Sequence, residues 1–450
     1  MSDSPGGRKR PALLRHYLFW FHHTSPSRLL VSGFATVILA GAVLLWLPIA
    51  HNPGHAVSFL DALFVSTSAV CVTGLTTIPC GETLSIFGRT VLGLLIQIGG
   101  LGVASAALLI PLFVGGKISL RSRQLLVEAS NLSGYASVVR YLKIFLAITF
   151  GVELVGAVAS FFVFRQDYPF WSAVGFGLFH SVSSFNNAGF DVLGGYDSLL
   201  AYAGNVPMNL ITTLLVIVGG LGFLVLIDLW VHRRQGWRAL DLNTKVVVMM
   251  TTGLLVGGTV LLKLTTSETW LESWFQSVIA RTAGFNTFPI GNFSMAGVLV
   301  FIVLMFIGAS PGSTGGGIKT TTAFAVACKA ISSTMHENRD SIFHRRIPSL
   351  VFEKALTVFF FGLAVCGIGT FLILCFEPDL AMYEVLVEVV SAFATVGSTV
   401  GITPGLCAWS KLVLICCMFI GRLGPVTIAT LLVIKGPKNI HYTEESIMIG

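Results

Sequence analysis

A glycine-centred pentad recurs four times in this chain. The copies are Val72-Thr73-Gly74-Leu75-Thr76, Asn187-Ala188-Gly189-Phe190-Asp191, Thr282-Ala283-Gly284-Phe285-Asn286 and Thr395-Val396-Gly397-Ser398-Thr399. Each follows an amphipathic stretch too short to cross a bilayer, at 59–72, 171–187, 269–281 and 382–395. Each is preceded by an apolar segment of full spanning length, at 30–50, 141–164, 246–264 and 351–376. After each comes a long apolar helix with its own glycine mark, at Gly99, Gly219, Gly308 and Gly421, which lie 24 to 30 residues beyond the pentad glycines. Internal repetition of this kind decides the architecture before any local propensity does. It predicts an all-α polytopic membrane protein of four pseudo-fourfold repeats, each a helix, a pore helix, a filter turn and a helix. That gives eight spans plus four re-entrant helices.

The repeats divide the chain into a cytoplasmic basic N-terminus (1–28), repeat 1 (29–114), a linker (115–140), repeat 2 (141–231) and a second linker (232–245). Repeat 3 (246–335), a third linker (336–350), repeat 4 (351–434) and a cytoplasmic C-terminus (435–450) follow. No linker is long enough for a soluble domain, so neither an enzyme nor a built-in nucleotide module is expected. Composition agrees: 54% of residues are hydrophobic, 11% are charged and the mean hydropathy is +0.83, values of the polytopic membrane class. The segment 1–28 lacks an uninterrupted apolar core, so no cleavable signal is expected. The net charge of +7 would suit nucleic acid, yet the Lys and Arg residues cluster in short inter-helix segments, the positive-inside pattern. Only Arg89, Arg165, Lys263 and Lys411 fall on the outer side, with Arg281 and Arg422 at membrane depth. This puts both termini in the cytoplasm and points all four repeats the same way. A secondary solute transporter with a midplane site and inverted repeats, the alternative reading, would show opposite orientations. The eight cysteines form no Cys-x-x-Cys pair and read as small core residues.

One repeat is interrupted. In the third, residues 308–322 read Gly-Ala-Ser-Pro-Gly-Ser-Thr-Gly-Gly-Gly-Ile-Lys-Thr-Thr-Thr between segments that are apolar and helix-compatible. Three consecutive glycines and a proline cannot hold a mid-helix turn. Broken backbone at membrane depth persists only where protein or water satisfies its polar groups. The stretch therefore reads as a mobile loop lining an aqueous path, with Gly308, Pro311, Gly312, Ser313, Thr314, Gly315, Gly316, Gly317 and Lys319 as gate residues. A phosphate-binding loop is a poor match, because Ile318 separates Gly317 from Lys319 and no strand precedes it.

The repeated turns suggest the chemistry. Glycine places backbone carbonyls in conformations closed to other residues, and four such turns on one axis make a ring of oxygens that can replace the hydration shell of a potassium ion. Glycine also serves close helix packing in membranes, but four copies in register favour the ring. The candidate potassium ligands are Val72, Thr73 and Gly74, Asn187, Ala188 and Gly189, Thr282, Ala283 and Gly284, and Thr395, Val396 and Gly397.

These glycines, the Ser310-Pro311-Gly312-Ser313-Thr314-Gly315-Gly316-Gly317-Ile318-Lys319 loop and the run Gly421-Arg422-Leu423-Gly424-Pro425 resemble the Trk/Ktr/HKT superfamily of potassium transporters. The match looks closest to the membrane subunit of bacterial Ktr systems, the KtrB type, since the chain lacks the extra N-terminal helix pair of TrkH proteins. The resemblance implies potassium uptake across the bacterial plasma membrane, often sodium-stimulated. It also implies a homodimer on a cytosolic, KtrA-like ring of subunits that bind adenine nucleotides. In the family a glycine in all four turns goes with potassium selectivity, and the third-repeat loop obstructs the pore and moves on activation. The only ions implied are the permeant potassium and sodium; no covalent cofactor is.

Charges at depth complete the reading. Arg422 stands where the matching motifs have Gly100 and Gly220, and a cation there costs about 2.5–3.5 kcal/mol unless water or a partner receives it. It joins the gate residues as a barrier to potassium. Arg281 reads as a structural brace with Glu384 or Glu388 as partner, and Glu153 as internally paired. Asp61, Asp191, Asp197 and Asp379 read as an outer rim with few cations beside it, and His51, His55 and His180 show no metal-ligand spacing.

Overall fold

The first helix of each unit is built from an unbroken apolar run, and in the computed structural model, which describes residues 26–107, 138–334, 341–343, 345–424 and 427, each forms one long helix. They are α1 (Pro26–Trp46), α5 (Val138–Phe164), α9 (Leu242–Thr265) and α13 (Ser349–Phe376). All four are long and apolar enough to cross a bilayer. They leave large apolar side chains bare, with Val155 at 71% and Phe371 at 66% exposure. Such surface is stable only against lipid or another protein. The expected N-terminal segment up to residue 25, the linker 115–140 except its last three residues, and the C-terminal segment lie outside the described residues.

The short amphipathic stretches are α2 (Phe59–Val70), α6 (Phe170–Phe185), α10 (Trp270–Ile279) and α14 (Met382–Ala394). At 10 to 16 residues none reaches the roughly 20 that a span requires. Their starts are fixed locally. Ser58 accepts the Asp61 amide at the head of α2, and Thr269 and Glu272 form a reciprocal capping box on α10. Their faces pack inward, with Phe64, Phe275 and Phe393 fully buried.

In the first three units the second apolar segment is broken within the described residues, so those segments are not plain continuous helices. In the first two units α3 (Ile86–Leu101) gives way to α4 (Val103–Ala107), and α7 (Val206–Leu221) to α8 (Phe223–Val231). In the third α11 (Met295–Phe306) is separated from α12 (Thr320–Thr334), and in the fourth α15 (Ala408–Leu423) ends. The breaks at Gly102 and Gly222, and Gly424 at the end of α15, all have φ between 79° and 88°, a conformation that only glycine enters at no steric cost. The two halves around Gly222 meet at 93°. The third-unit break runs from Ile307 to Lys319, so Thr320, Thr321 and Thr322, expected in the loop, open α12 instead.

Glycine also decides how closely these helices approach the re-entrant ones. A Cβ on Gly99, Gly219 or Gly421 would collide with the carbonyl of Val70, Phe185 or Phe393, the last turns of α2, α6 and α14. Each second helix thus seats its glycine against a re-entrant helix end.

Candidate functional site

Each re-entrant helix ends in a turn of one backbone pattern. The residue two before the glycine lies in the left-handed region (Val72 58°, Asn187 57°, Thr282 95°, Thr395 53° in φ), and the glycine follows it there (Gly74, Gly189, Gly284, Gly397). A β-branched residue with positive φ is a genuine outlier, held here by its surroundings. The amides of Thr73, Ala188 and Val396 donate to Ser68, Ser183 and Ser391 carbonyls at 2.7, 2.7 and 2.8 Å. Behind them, Ser68 and Ser391 hydroxyls accept the amides of Gly74 and Gly397, each at 3.0 Å.

The four turns touch in a closed cycle. A Cβ on Gly74 would strike the Ala188 carbonyl oxygen, one on Gly189 that of Ala283, one on Gly284 that of Val396, and one on Gly397 that of Thr73. Every glycine therefore abuts the next unit's carbonyl, and the fourth unit returns to the first. The four glycines then line a single cavity of about 310 Å³, walled also by Asp191, Asp197 and Thr399. All twelve residues expected to bind potassium belong to this cycle. One side-chain bond reinforces it across units, the Thr282 hydroxyl donating to the Asn187 amide oxygen at 3.0 Å, while the Asn187 amide donates to the Phe185 carbonyl of its own unit at 3.2 Å.

The loop 307–319 lies against the inner side of this cycle, held by the second, third and fourth units. Ser310 and Thr314 amides donate to the Gly220 and Gly219 carbonyls at 3.1 and 3.3 Å, and the Phe223 amide donates to the Gly312 carbonyl at 3.2 Å. Gly219 and Gly220 are free to accept because the break at Gly222 leaves the last carbonyls of α7 without helical partners. The Gly222 position lies against the Pro311 carbonyl. Ser313 turns its hydroxyl back to the Ser310 carbonyl at 2.6 Å. The Gly316 amide donates to the Thr395 hydroxyl at 2.9 Å. Gly315 and Gly316 face the Thr282 and Thr395 side chains so closely that no Cβ fits at either, and Gly308 meets Gly316 in the same way. Gly317 turns with φ of 69°, beside Ala394.

Two cations occupy the same level. Arg422 donates to the carbonyls of Thr314, in the loop, and Gly99, in the first unit. The Lys319 ammonium donates to the Gly315 carbonyl at 2.6 Å. Neither forms an ion pair among the described residues. Arg281 overturns its expected pairing: it donates to the Gly308 carbonyl at 3.3 Å. Glu384 caps its own helix through the Ala381 amide, and Glu388 accepts hydroxyls from Thr399 and, at 3.0 Å, from Thr403. Carbonyls freed by the broken helices do the work assigned to carboxylates.

At the outer face Asp61 is paired with Lys411 at 2.9 Å, so the rim is not cation-free, and the pair closes the fourth unit onto the first. Burial, with Asp197 nearby, raises Asp191 to about 6. His51 bonds the Leu45 carbonyl at 2.7 Å and His180 meets the Thr212 hydroxyl at 2.9 Å, both within the packing. Glu153 is internally bonded, accepting from Asn186 at 2.9 Å. Sequence reasoning missed Asn186 and Gln97 beside Glu153, and offered Glu388, which sits behind the fourth turn, to Arg281 instead. Nothing in their spacing sets them apart, though Asn186-Asn187 and Glu388 are conspicuously polar inside apolar stretches.

Known proteins resemble this arrangement. The family described as TrkH, cation transport protein, matches residues 23–267 and, overlapping, 237–442. The potassium/sodium uptake protein NtpJ of Enterococcus hirae is 38% identical, covering 95% of this chain and 97% of its own. The Ktr system potassium uptake protein B of Bacillus subtilis is 35% identical over 96% and 98%. The crystal structure of the potassium transporter TrkH from Vibrio parahaemolyticus superposes with a TM-score of 0.72, covering 94% of this chain and 89% of that one at 20% identity; that likeness bears on the fold alone.

Proposed function

The chain belongs to the TrkH family of cation transport proteins, and from that premise we propose that it is the pore-forming subunit of a Ktr-type system for potassium-selective uptake. The observation that carries this reading is the closed cycle of four turns, each glycine against the next unit's carbonyl. Potassium sheds its water where carbonyl oxygens replace it at matched distance, and the cycle supplies the Thr73, Ala188, Ala283 and Val396 carbonyls from four separate units. Relatives covering nearly the whole chain are potassium uptake proteins by name, which supports the choice of ion.

Below the filter the loop is the gate. It crosses the inner side of the cycle, and Arg422 and Lys319 place positive charge where a departing potassium ion would pass. Conduction then requires the loop to give up its bonds to Gly219, Gly220 and Thr395. The subunit works in the bacterial plasma membrane with both termini cytoplasmic, as a homodimer on a KtrA-like nucleotide-binding ring, and its flux is sodium-stimulated.

The test is rubidium flux into proteoliposomes. The purified chain takes up rubidium down a potassium gradient. Gly189→Val and Gly284→Val, which put a β-branched residue at φ of 68° against a carbonyl, abolish that flux. Uptake that survives either substitution removes the filter assignment.

A further inference from the structure

Glu153 lies in the middle of α5 and is 5% exposed. Among the described residues it forms no ion pair. An intramembrane carboxylate without a cation is costly, and such groups mark ion or proton sites. Around it lie the Asn186 and Gln97 amides and the Val182 carbonyl. The Asn186 amide nitrogen lies 2.9 Å from a Glu153 carboxylate oxygen, 3.1 Å from the Gln97 amide oxygen and 2.9 Å from the Val182 carbonyl. An amide carries two hydrogens, so three acceptors converge on two donors. Meanwhile the Asn186 amide oxygen, in a side chain with no exposed surface, has no partner at all.

We propose that Glu153, Gln97 and Asn186, with the Val182 carbonyl, form a second cation site, apart from the permeation path and selective for sodium. Turning the Asn186 amide over aims a fourth oxygen at the point where the three acceptors already converge. In that orientation the amide hydrogens no longer hold the three acceptors, and a bound cation takes their place in offsetting the repulsion of four oxygens. One carboxylate balances one monovalent ion; a divalent ion would leave net charge in hydrocarbon, against the cost of unpaired intramembrane charge. A shell this small and hard suits sodium better than potassium, which the filter serves with a wider ring of carbonyls.

Position gives the site a consequence. Gln97 comes from α3 of the first unit, while Glu153 and Asn186 come from the second, so the ion fastens two units together. Asn186 adjoins Asn187 of the second turn. It also packs against Gly100, next to the Gly99 carbonyl that receives Arg422. Sodium bound here steadies the cycle and the contact that holds the gate.

The test uses the full chain in detergent, unfolded thermally in choline buffer at constant ionic strength while sodium chloride replaces choline chloride. The wild type gains a saturable, sodium-specific rise in Tm. Glu153→Gln loses it, and so does Gln97→Leu on the other unit, which serves should the first variant fold poorly. Both variants keep the rise in Tm that potassium produces at the filter, whereas Gly284→Val loses the potassium response and keeps the sodium one. This crossing separates failure of the new site from failure of the filter. Three results overturn the proposal: no sodium-specific rise in the wild type, an undiminished rise in Glu153→Gln and Gln97→Leu alike, or a rise that follows pH and not sodium.

Discussion

Glu268 sits in the turn between α9 and α10, 1% exposed, with neither carboxylate oxygen hydrogen-bonded. The nearby Lys263 ammonium donates to its backbone carbonyl at 2.5 Å and leaves the carboxyl unpaired. Burial, and then the charge of Glu272, raise it to about 7 from an ordinary 4.5. The folded chain therefore holds a proton that the unfolded chain releases. The group favours the native state in full below about pH 4.5, and this contribution is lost as pH rises through about 7. Tm of the wild type accordingly falls between pH 5 and 8, while Glu268→Gln falls less steeply over that window and is the more stable protein at pH 8. Parallel Tm profiles for the two would remove Glu268 as the cause. No sequence signal marks this residue, because a carboxylate in an outer loop is usually solvated and only packing reveals otherwise. Arg281 teaches the same lesson in reverse. Sequence offered Glu384 and Glu388 as partners, yet a guanidinium is satisfied equally well by the Gly308 carbonyl, and backbone acceptors have no signature in the side-chain string.

Among the elements, the re-entrant helices and their turns were the legible ones, since four copies of one pattern outweigh the ambiguity of each. The breaks in the second helices were not. Glycine is common inside membrane helices, so nothing in the sequence separates Gly102, Gly222 and Gly424, all at positive φ, from ordinary packing positions. The third-unit loop stood out because its break fills thirteen residues and not one. Its apparent softness is offset by bonds to three units, and Arg422 bridges it to the first, donating to the Thr314 and Gly99 carbonyls. A hydrogen bond from a charged donor is worth about 1.5–3 kcal/mol, so removing two such bonds weakens the held position of the loop substantially. Arg422→Ala also removes a positive charge below the filter. Both effects act in one direction: rubidium flux through the Arg422→Ala pore rises severalfold, and the regulator's grip on it declines. Unchanged flux in matched vesicles excludes the arginine as a barrier.

At the scale of the molecule, the units follow one another around the cycle in chain order, and three independent contacts close the fourth onto the first: Gly397 on Thr73, Arg422 on Gly99 and Lys411 on Asp61. A single closed cycle has one axis, and on the proposed reading control of the pore reduces to whether the loop beneath that cycle stays or moves. The loop that most resembles a nucleotide motif spends its glycines on other contacts. Gly315 and Gly316 are filled against Thr282 and Thr395, and the Lys319 ammonium is bound to Gly315, leaving no cradle of free amides for a phosphate, which a phosphate-binding loop requires. On the proposed reading, adenine nucleotides act on the gate through another chain. The isolated subunit in proteoliposomes is therefore expected to conduct rubidium at the same rate with ATP, ADP or neither, and to become nucleotide-sensitive when a cytosolic ring of nucleotide-binding subunits is added back. A direct response of the isolated subunit, with radiolabelled nucleotide retained on it, would place the nucleotide site in this chain and return the third-unit loop to the list of its possible seats.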